Sequence, residues 1–210
     1  MTPSPAPIAL FDFDGTLTRR DSLPRFLHYC MGSAVFWKTM ATQWKALLAL
    51  KTGRMPRGLV KQQVLGSFFA GWPMERLESL GAAFARDIIP GMLRGPSMPA
   101  LKQHLHQGHT CYLVSASLDL YLRPWSQSQG MAGALCTRLE VSPAGILTGR
   151  LQGLNVYGPE KVARIKEALG ESPDIECAYG DSRGDLEMLD LARHAWMRGR
   201  VWKNDRDSLC

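Results

Sequence analysis

Asp12 and Asp14 stand two residues apart in Asp12-Phe13-Asp14-Gly15-Thr16, at the close of the short apolar run Ile8 to Phe13. Where a chain leaves a strand and turns at a glycine, two carboxylates at this spacing can aim at one point. Held that close, like charges repel and raise a pKa unless a proton or a cation intervenes. A divalent metal ion answers the conflict. A second acidic pair, Asp181 and Asp185, brackets the loop Gly180-Asp181-Ser182-Arg183-Gly184-Asp185 after another apolar run, Cys177 to Tyr179. Oxygen-only donors suit Mg²⁺, which keeps part of its water shell and takes one or two protein carboxylates. Ser115 directly follows the apolar Tyr112-Leu113-Val114. Its hydroxyl, with the N–H of Ala116 at an expected helix start, can hold a phosphate oxygen; capping that helix is the alternative use of such a serine. Lys161 opens a helix in Gly158-Pro159-Glu160-Lys161, where the positive end of the helix dipole disfavours a cation. A dianion bound nearby resolves that conflict, a solvated surface lysine being the other reading.

These four groups need elements that bring them together. Ile8 to Phe13, Cys111 to Val114 and Ile175 to Tyr179 are short apolar runs, the pattern of parallel strands buried on both faces. Helical patterns over Ser97 to Gln107, Leu118 to Gln129, Glu160 to Leu169 and Asp185 to Ala192 alternate with them. Alternation of this kind predicts an α/β fold, a Rossmann-like open parallel sheet with crossover helices. Leu135 to Val141, the turn Ser142 to Gly145 and Ile146 to Leu151 read as a β-hairpin. Each of the four chemical groups then falls at a strand exit or a helix start along one sheet edge, where open α/β sheets bind ligands.

Between the first strand and the rest, from Asp21 to Ile89, the pattern is helical throughout. Trp37, Met40, Trp44, Leu47 and Leu48 recur at helical spacing, and Pro56 and Pro73 can each open a further helix. Stripes of this kind normally pack inside a bundle, and internal packing is the expectation here, an apolar edge offered to a lipid-like or aromatic substrate being the alternative. The expected organisation is a catalytic core of residues 1–20 and 91–210 with a helical cap, residues 21–90, inserted after the first strand.

Composition bounds the rest. The chain has 210 residues, 45% hydrophobic, with 25 Lys and Arg against 19 Asp and Glu, for a formal charge of +6. The excess attracts anions, including phosphorylated metabolites and acidic lipid headgroups, but no run of five or six basic residues appears, and no nucleic-acid partner is expected. Val35 to Leu50, the most apolar stretch, is interrupted by Lys38 and Lys45 and is too short to span a bilayer; peripheral membrane contact stays open. Cys30, Cys111, Cys136, Cys177 and Cys210 show neither C-x-x-C nor metal-ligand spacing, most of them in apolar runs like buried free thiols. An odd count and the lack of a signal-peptide pattern in Met1 to Pro7 point to the cytoplasm. His28, His104, His106, His109 and His194 show no ligand spacing and read as surface or partly buried residues.

Together, in this order, the four motifs resemble the haloacid dehalogenase superfamily, and the resemblance covers nearly the whole chain. Within it, the inserted cap resembles the phosphoserine-phosphatase-like branch. Asn155-Val-Tyr-Gly-Pro-Glu-Lys161, the preceding hairpin and Arg183-Gly184 are similar to the subgroup with the C-type phosphatidylglycerophosphatases. The resemblance implies a Mg²⁺-dependent phosphomonoester hydrolase with Asp12 as nucleophile and Asp14 as general acid and base. It implies Mg²⁺ on the Asp12 carboxylate, the Asp14 carbonyl and Asp181, with Asp185 steadying that shell, Thr16 bracing the loop, and Ser115, Ala116 and Lys161 on the phosphate oxygens. Phosphoserine phosphatases carry a Glu nine residues after the nucleophile; here Asp21 stands there, preceded by Arg19 and Arg20, which argues against phosphoserine. The substrate is expected to be a small phosphorylated metabolite or a phospholipid headgroup. Transfer of the phosphoryl group to another acceptor, as in mutases, and non-catalytic anion binding are the alternatives. Oligomeric state is not legible.

Overall fold

The computed structural model of the protein describes residues 6–93 and 97–204; Met1 to Pro5 and Cys210 lie outside them. Strand β1 (Ile8–Phe11) leads into four helices, α1 (Ser22–Thr42), α2 (Trp44–Lys51), α3 (Arg57–Phe69) and α4 (Met74–Asp87). Then come α5 (Ser97–His106), β2 (Thr110–Leu118), α6 (Asp119–Ser128), β3 (Gly133–Thr137) and a hairpin of β4 (Leu139–Val141) with β5 (Leu147–Leu151). Helix α7 (Pro159–Leu169), β6 (Ile175–Gly180), α8 (Leu186–Leu191), β7 (Ala192–Met197) and β8 (Arg200–Asn204) complete the order.

The main sheet runs β3-β2-β1-β6-β7-β8, parallel except for the antiparallel edge strand β8. Strand β1 is central, and its side chains alternate between two layers. Ala9 and Phe11 pack with α5 and α6 residues such as Leu101 and Trp125, while Leu10 packs with Ile165 of α7 and Met188 of α8. Burial on both faces is why this strand reads as an unbroken apolar run. Phe11 pairs with Leu113 on one side and Tyr179 on the other. Register therefore sets Asp12 level with Val114 of β2 and with Gly180 at the exit of β6, and the Asp12 N–H donates to the Tyr179 carbonyl at 2.9 Å.

The four helices after β1 are joined tightly to the rest. Gly81 of α4 lies so close to α6 that a Cβ there would come within 2.5 Å of the Leu120 carbonyl oxygen, and Phe26, Phe84 and Tyr121 pack ring on ring. Helix α3 rests on the hairpin, where Leu151 N–H donates to the Gln62 side chain at 3.1 Å. Helix α1 is kinked at Gly32, which sits at φ 70°, a conformation glycine adopts without steric cost.

Two expectations are corrected here. Phe36 and Ala46 are buried, but Trp37, Trp44 and Leu48 of the first stripe are exposed by 67%, 57% and 51%; the kink at Gly32 and the break at Gln43 turn those positions outward. The residues after Ala192, for which no strand was expected, form β7 and β8. Arg193 and His194 interrupt the apolar run that signals an inner strand, and the pair is closed by a tight turn at Arg198 and Gly199, both at positive φ, as two-residue hairpins require. The four described cysteines are free thiols, three of them buried. Among the described residues, no helix is long and apolar enough to cross a membrane.

Candidate active site

The ammonium of Lys161, 2% exposed, lies between two carboxylates. It donates to Asp12 Oδ1 at 2.7 Å, Asp185 Oδ1 at 2.6 Å and the Val114 carbonyl at 2.7 Å. A helical side chain leans toward its own N-terminus, so Lys161, in the first turn of α7, reaches back over the sheet edge. This placement closes the surface-lysine reading. Burial alone would lower the Lys161 pKa, but Asp12 and Asp185 outweigh it and hold the ammonium charged. The Asp12 carboxyl is pushed up to about 7, burial being the largest cause and Lys161 opposing it. For Asp185, burial is outweighed by Lys161 and by the N–H groups of Ser182 and Asp181, so its pKa falls.

The remaining acids are positioned by the loops. Asp185 Oδ2 accepts from the N–H groups of Asp181 at 3.1 Å and Ser182 at 2.9 Å and from the Ser182 hydroxyl at 3.0 Å, a capping box that holds the β6 exit loop. Asp181 packs against Gly15, where a Cβ would fall 2.2 Å from Asp181 Oδ2. One carboxylate oxygen each from Asp12, Asp181 and Asp185 lies within 4.8 Å of the others; that compact, oxygen-only set suits a hard divalent cation. Thr16 donates its hydroxyl to Asp12 Oδ2 at 3.1 Å. Asp14 accepts from Ser22 N–H at 2.7 Å and from the Ser117 hydroxyl at 2.5 Å, and its pKa is raised, chiefly by burial.

Ser115 is buried, and its Oγ accepts from Ser117 N–H at 3.1 Å. Ala116 is not at a helix start: β2 continues to Leu118, and its pairing with β3 shifts register between Ser115 and Leu118. That irregularity carries Ser115, Ala116 and Ser117 to the floor of a cleft of about 400 Å³. The cleft also takes in Asp12, Asp14, Lys161, Asp181 and Asp185 at its floor and Asp21 on its side. Arg19 and Arg20 are exposed and do not line it.

Several residues around the cleft escaped the sequence reading. Lys61 of α3 reaches in from the helical segment, donating to the Ala116 carbonyl and, at 3.1 Å, to Asn155 Oδ1. Desolvation lowers its pKa to about 8 despite the nearby Asp14. Its neighbour Arg57 stacks over the Tyr157 ring at 5.0 Å, and both line the cleft. The available signal was weak: Lys61 flanks the buried Val60 and Val64, one position off an inward stripe. The upper wall is apolar, built from Leu23, Leu27, Met40, Leu50 and Val64.

The chain is similar to several known proteins. The haloacid dehalogenase-like hydrolase family matches residues 9–190. Protein CicA of Caulobacter vibrioides (strain NA1000 / CB15N) is 32% identical over 185 residues, covering 88% of this chain and 82% of that protein. A Bordetella pertussis Tohama I protein of unknown function superposes with a TM-score of 0.77 at 24% identity, over 91% of this chain and 89% of that one. A phosphoserine phosphatase with substrate bound superposes at 0.65 and 19% identity, over 93% and 87%. Another, as an analogue of its phospho-aspartyl intermediate, does so at 0.61 and 20%, over 91% and 86%. With its sheet order, its four motifs on one sheet edge and a family match over most of its length, the chain belongs to the haloacid dehalogenase-like hydrolases.

Proposed function

We propose that the protein is a Mg²⁺-dependent phosphomonoester hydrolase whose Asp12 forms an aspartyl-phosphate, with residues 21–90 acting as a cap over a core of residues 1–20 and 91–210. The observation that carries this reading is the placement of Lys161 between Asp12 and Asp185 at the floor of the cleft, with Ser115 and Asp181 on the same floor. An anionic nucleophile must approach an anionic phosphoryl group, and cationic charge fixed at that point offsets the repulsion. Uncatalysed phosphate monoester hydrolysis is so slow that enzymes accelerate it by up to ~10²¹-fold.

Asp12 attacks phosphorus in line, forming the O–P bond as the ester P–O bond breaks. Asp14, whose burial favours the protonated form, gives its proton to the leaving alkoxide. It then takes a proton from water, which attacks phosphorus and releases phosphate from Asp12; two easier displacements replace one hard one. Ser117 and Ser22, bonded to Asp14, hold that carboxyl toward the cleft. Lys161, the Ser115 hydroxyl and the Ala116 N–H bind the non-bridging oxygens, and Thr16 orients the Asp12 carboxylate. Mg²⁺, held by the Asp12 carboxylate, the Asp14 main-chain carbonyl and Asp181, with Asp185 supporting, would neutralise charge on the phosphoryl oxygens. The apolar upper wall favours an ester whose alcohol carries an apolar portion, as a phospholipid does, over phosphoserine.

The test is phosphate release, with Mg²⁺ and with chelator, from phosphoserine, sugar phosphates, a lysophosphatidic acid and phosphatidylglycerophosphate. The proposal expects Mg²⁺-dependent release, fastest from the lipid phosphomonoesters. No release from any of them would remove the activity, and preference for phosphoserine would remove the substrate class. A second prediction isolates the metal. Gly15→Ala puts a methyl group on the Asp181 carboxylate and an L-residue at φ 82°. Its Mg²⁺ affinity, measured by calorimetry, should fall about 10–100-fold, as when the support of a ligand is lost; an unchanged affinity would take Asp181 out of the metal site.

A further inference from the structure

One part of the surface is unlike the rest. From Ser22 to Met74 the chain has seven Lys and Arg and no Asp or Glu, while the remaining residues hold 18 basic and 19 acidic side chains. The net positive charge of the whole chain thus resides in this segment. The same stretch exposes Trp37, Trp44, Leu48 and Val35, the last by 49%. Lys38, Lys45 and Lys51 are exposed among them, and the Lys45 ammonium sits 5.6 Å from the Trp44 ring centre. Scattered exposed apolar residues are ordinary, but Trp44, Leu48 and Lys51, at i, i+4 and i+7 of α2, share one exposed helical face.

We propose that the outer face of α2 and of the second half of α1 docks on an anionic lipid bilayer. Tryptophan suits the headgroup boundary, where one part of the ring is apolar and the other wet, and lysines beside it meet the negative surface. Two other occupants fit less well. A second copy of this chain would set the same cations against each other across a two-fold contact, with no carboxylate in the segment to offset them. A nucleic acid would use the lysines but leave Leu48, 51% exposed, without a role. The helix that would meet the bilayer also walls the cleft: Leu47 and Leu50 of α2 line it, while Trp44, Lys45 and Leu48 face outward. Docking therefore brings the apolar end of the cleft to the membrane. The docking rests on this surface alone; entry of a lipid phosphomonoester from the bilayer rests on the proposed function as well.

The experiment is co-sedimentation of the full chain with vesicles of phosphatidylcholine alone and of phosphatidylcholine with phosphatidylglycerol. Binding is expected to the anionic vesicles only, to weaken with salt, and to shift tryptophan emission to shorter wavelength. Loss of each lysine should cost about fivefold, so Lys38→Ala, Lys45→Ala and Lys51→Ala combined should cost on the order of 100-fold. Trp37→Ser with Trp44→Ser should also weaken binding. Both variants should keep the wild-type thermal unfolding curve and the wild-type hydrolysis of p-nitrophenyl phosphate. Absent binding, equal binding to neutral vesicles, or binding untouched by these substitutions overturns the proposal. So does a dimer that the tryptophan substitutions dissolve, or tighter capture of duplex DNA than of anionic vesicles. Vesicle binding by a protein that hydrolyses no phosphomonoester upholds the docking and removes the enzymatic reading instead.

Discussion

Asp12→Asn should stop turnover, lowering kcat by on the order of 10⁴- to 10⁶-fold, the range seen when a nucleophile is removed. The carboxamide has nearly the same shape, so the loss would be chemical rather than structural. Its oxygen can still accept from Lys161 or Thr16, and Lys161 keeps Asp185 at 2.6 Å and the Val114 carbonyl at 2.7 Å. Steady-state phosphate release and thermal unfolding, measured together, separate the two effects. A variant with native stability and turnover within about tenfold of wild type would mean that phosphorus is attacked by another group.

Lys161→Ala is expected to damage both folding and catalysis. Lys161 is buried with two carboxylates, one 8% and the other 2% exposed at the side chain. Removing it leaves those charges unpaired, and breaking a buried pair from one side costs about 3–5 kcal/mol. In a chain of this size each kcal/mol lowers Tm by roughly 2–4 °C, so a fall of roughly 6–20 °C is expected in chelator. Mg²⁺ should recover part of it, because a cation that binds only the folded site stabilises it by mass action. Catalysis would not return with the fold. One charged group aimed at the phosphoryl oxygens is worth about 10²–10³-fold in kcat, and that loss should persist at saturating Mg²⁺. Urea unfolding with and without Mg²⁺, with kcat at saturating Mg²⁺, checks each part. A stability change below about 1 kcal/mol would contradict the buried geometry, and a native kcat would remove Lys161 from the phosphate site.

The floor of the cleft was readable because its residues follow strand ends. Asp12, Ser115 and Asp181 each come at or near the close of an apolar run, and parallel register then makes those closes neighbours, as the pairing of Phe11 with both Leu113 and Tyr179 displays. Lys161 needed only the backward lean of a helical side chain. The upper half of the cleft was not readable. Whether Lys61 points at Asn155 or at water depends on how α3 lies on the β5 strand of the hairpin, a long-range contact made close by Gly66 and Gly149. The outward turn of Trp37 and Trp44 depends on the kink at Gly32 and the break at Gln43, neither of which leaves a trace in hydrophobic periodicity. Strand β7 was missed for a related reason: its identity comes from pairing with β6, Cys177 with His194 and Tyr179 with Trp196, and not from its own apolar run, which Arg193 and His194 interrupt.

The most direct test of the account is to trap the phosphoryl enzyme. With Mg²⁺ and a phosphomonoester, rapid quenching followed by borohydride reduction and peptide mass spectrometry should find the modification on the peptide containing Asp12, at Asp12 itself, and nowhere in Asp12→Asn. Turnover with no acyl-phosphate at Asp12, or with the label on Ser115 or another side chain, would contradict the central claim.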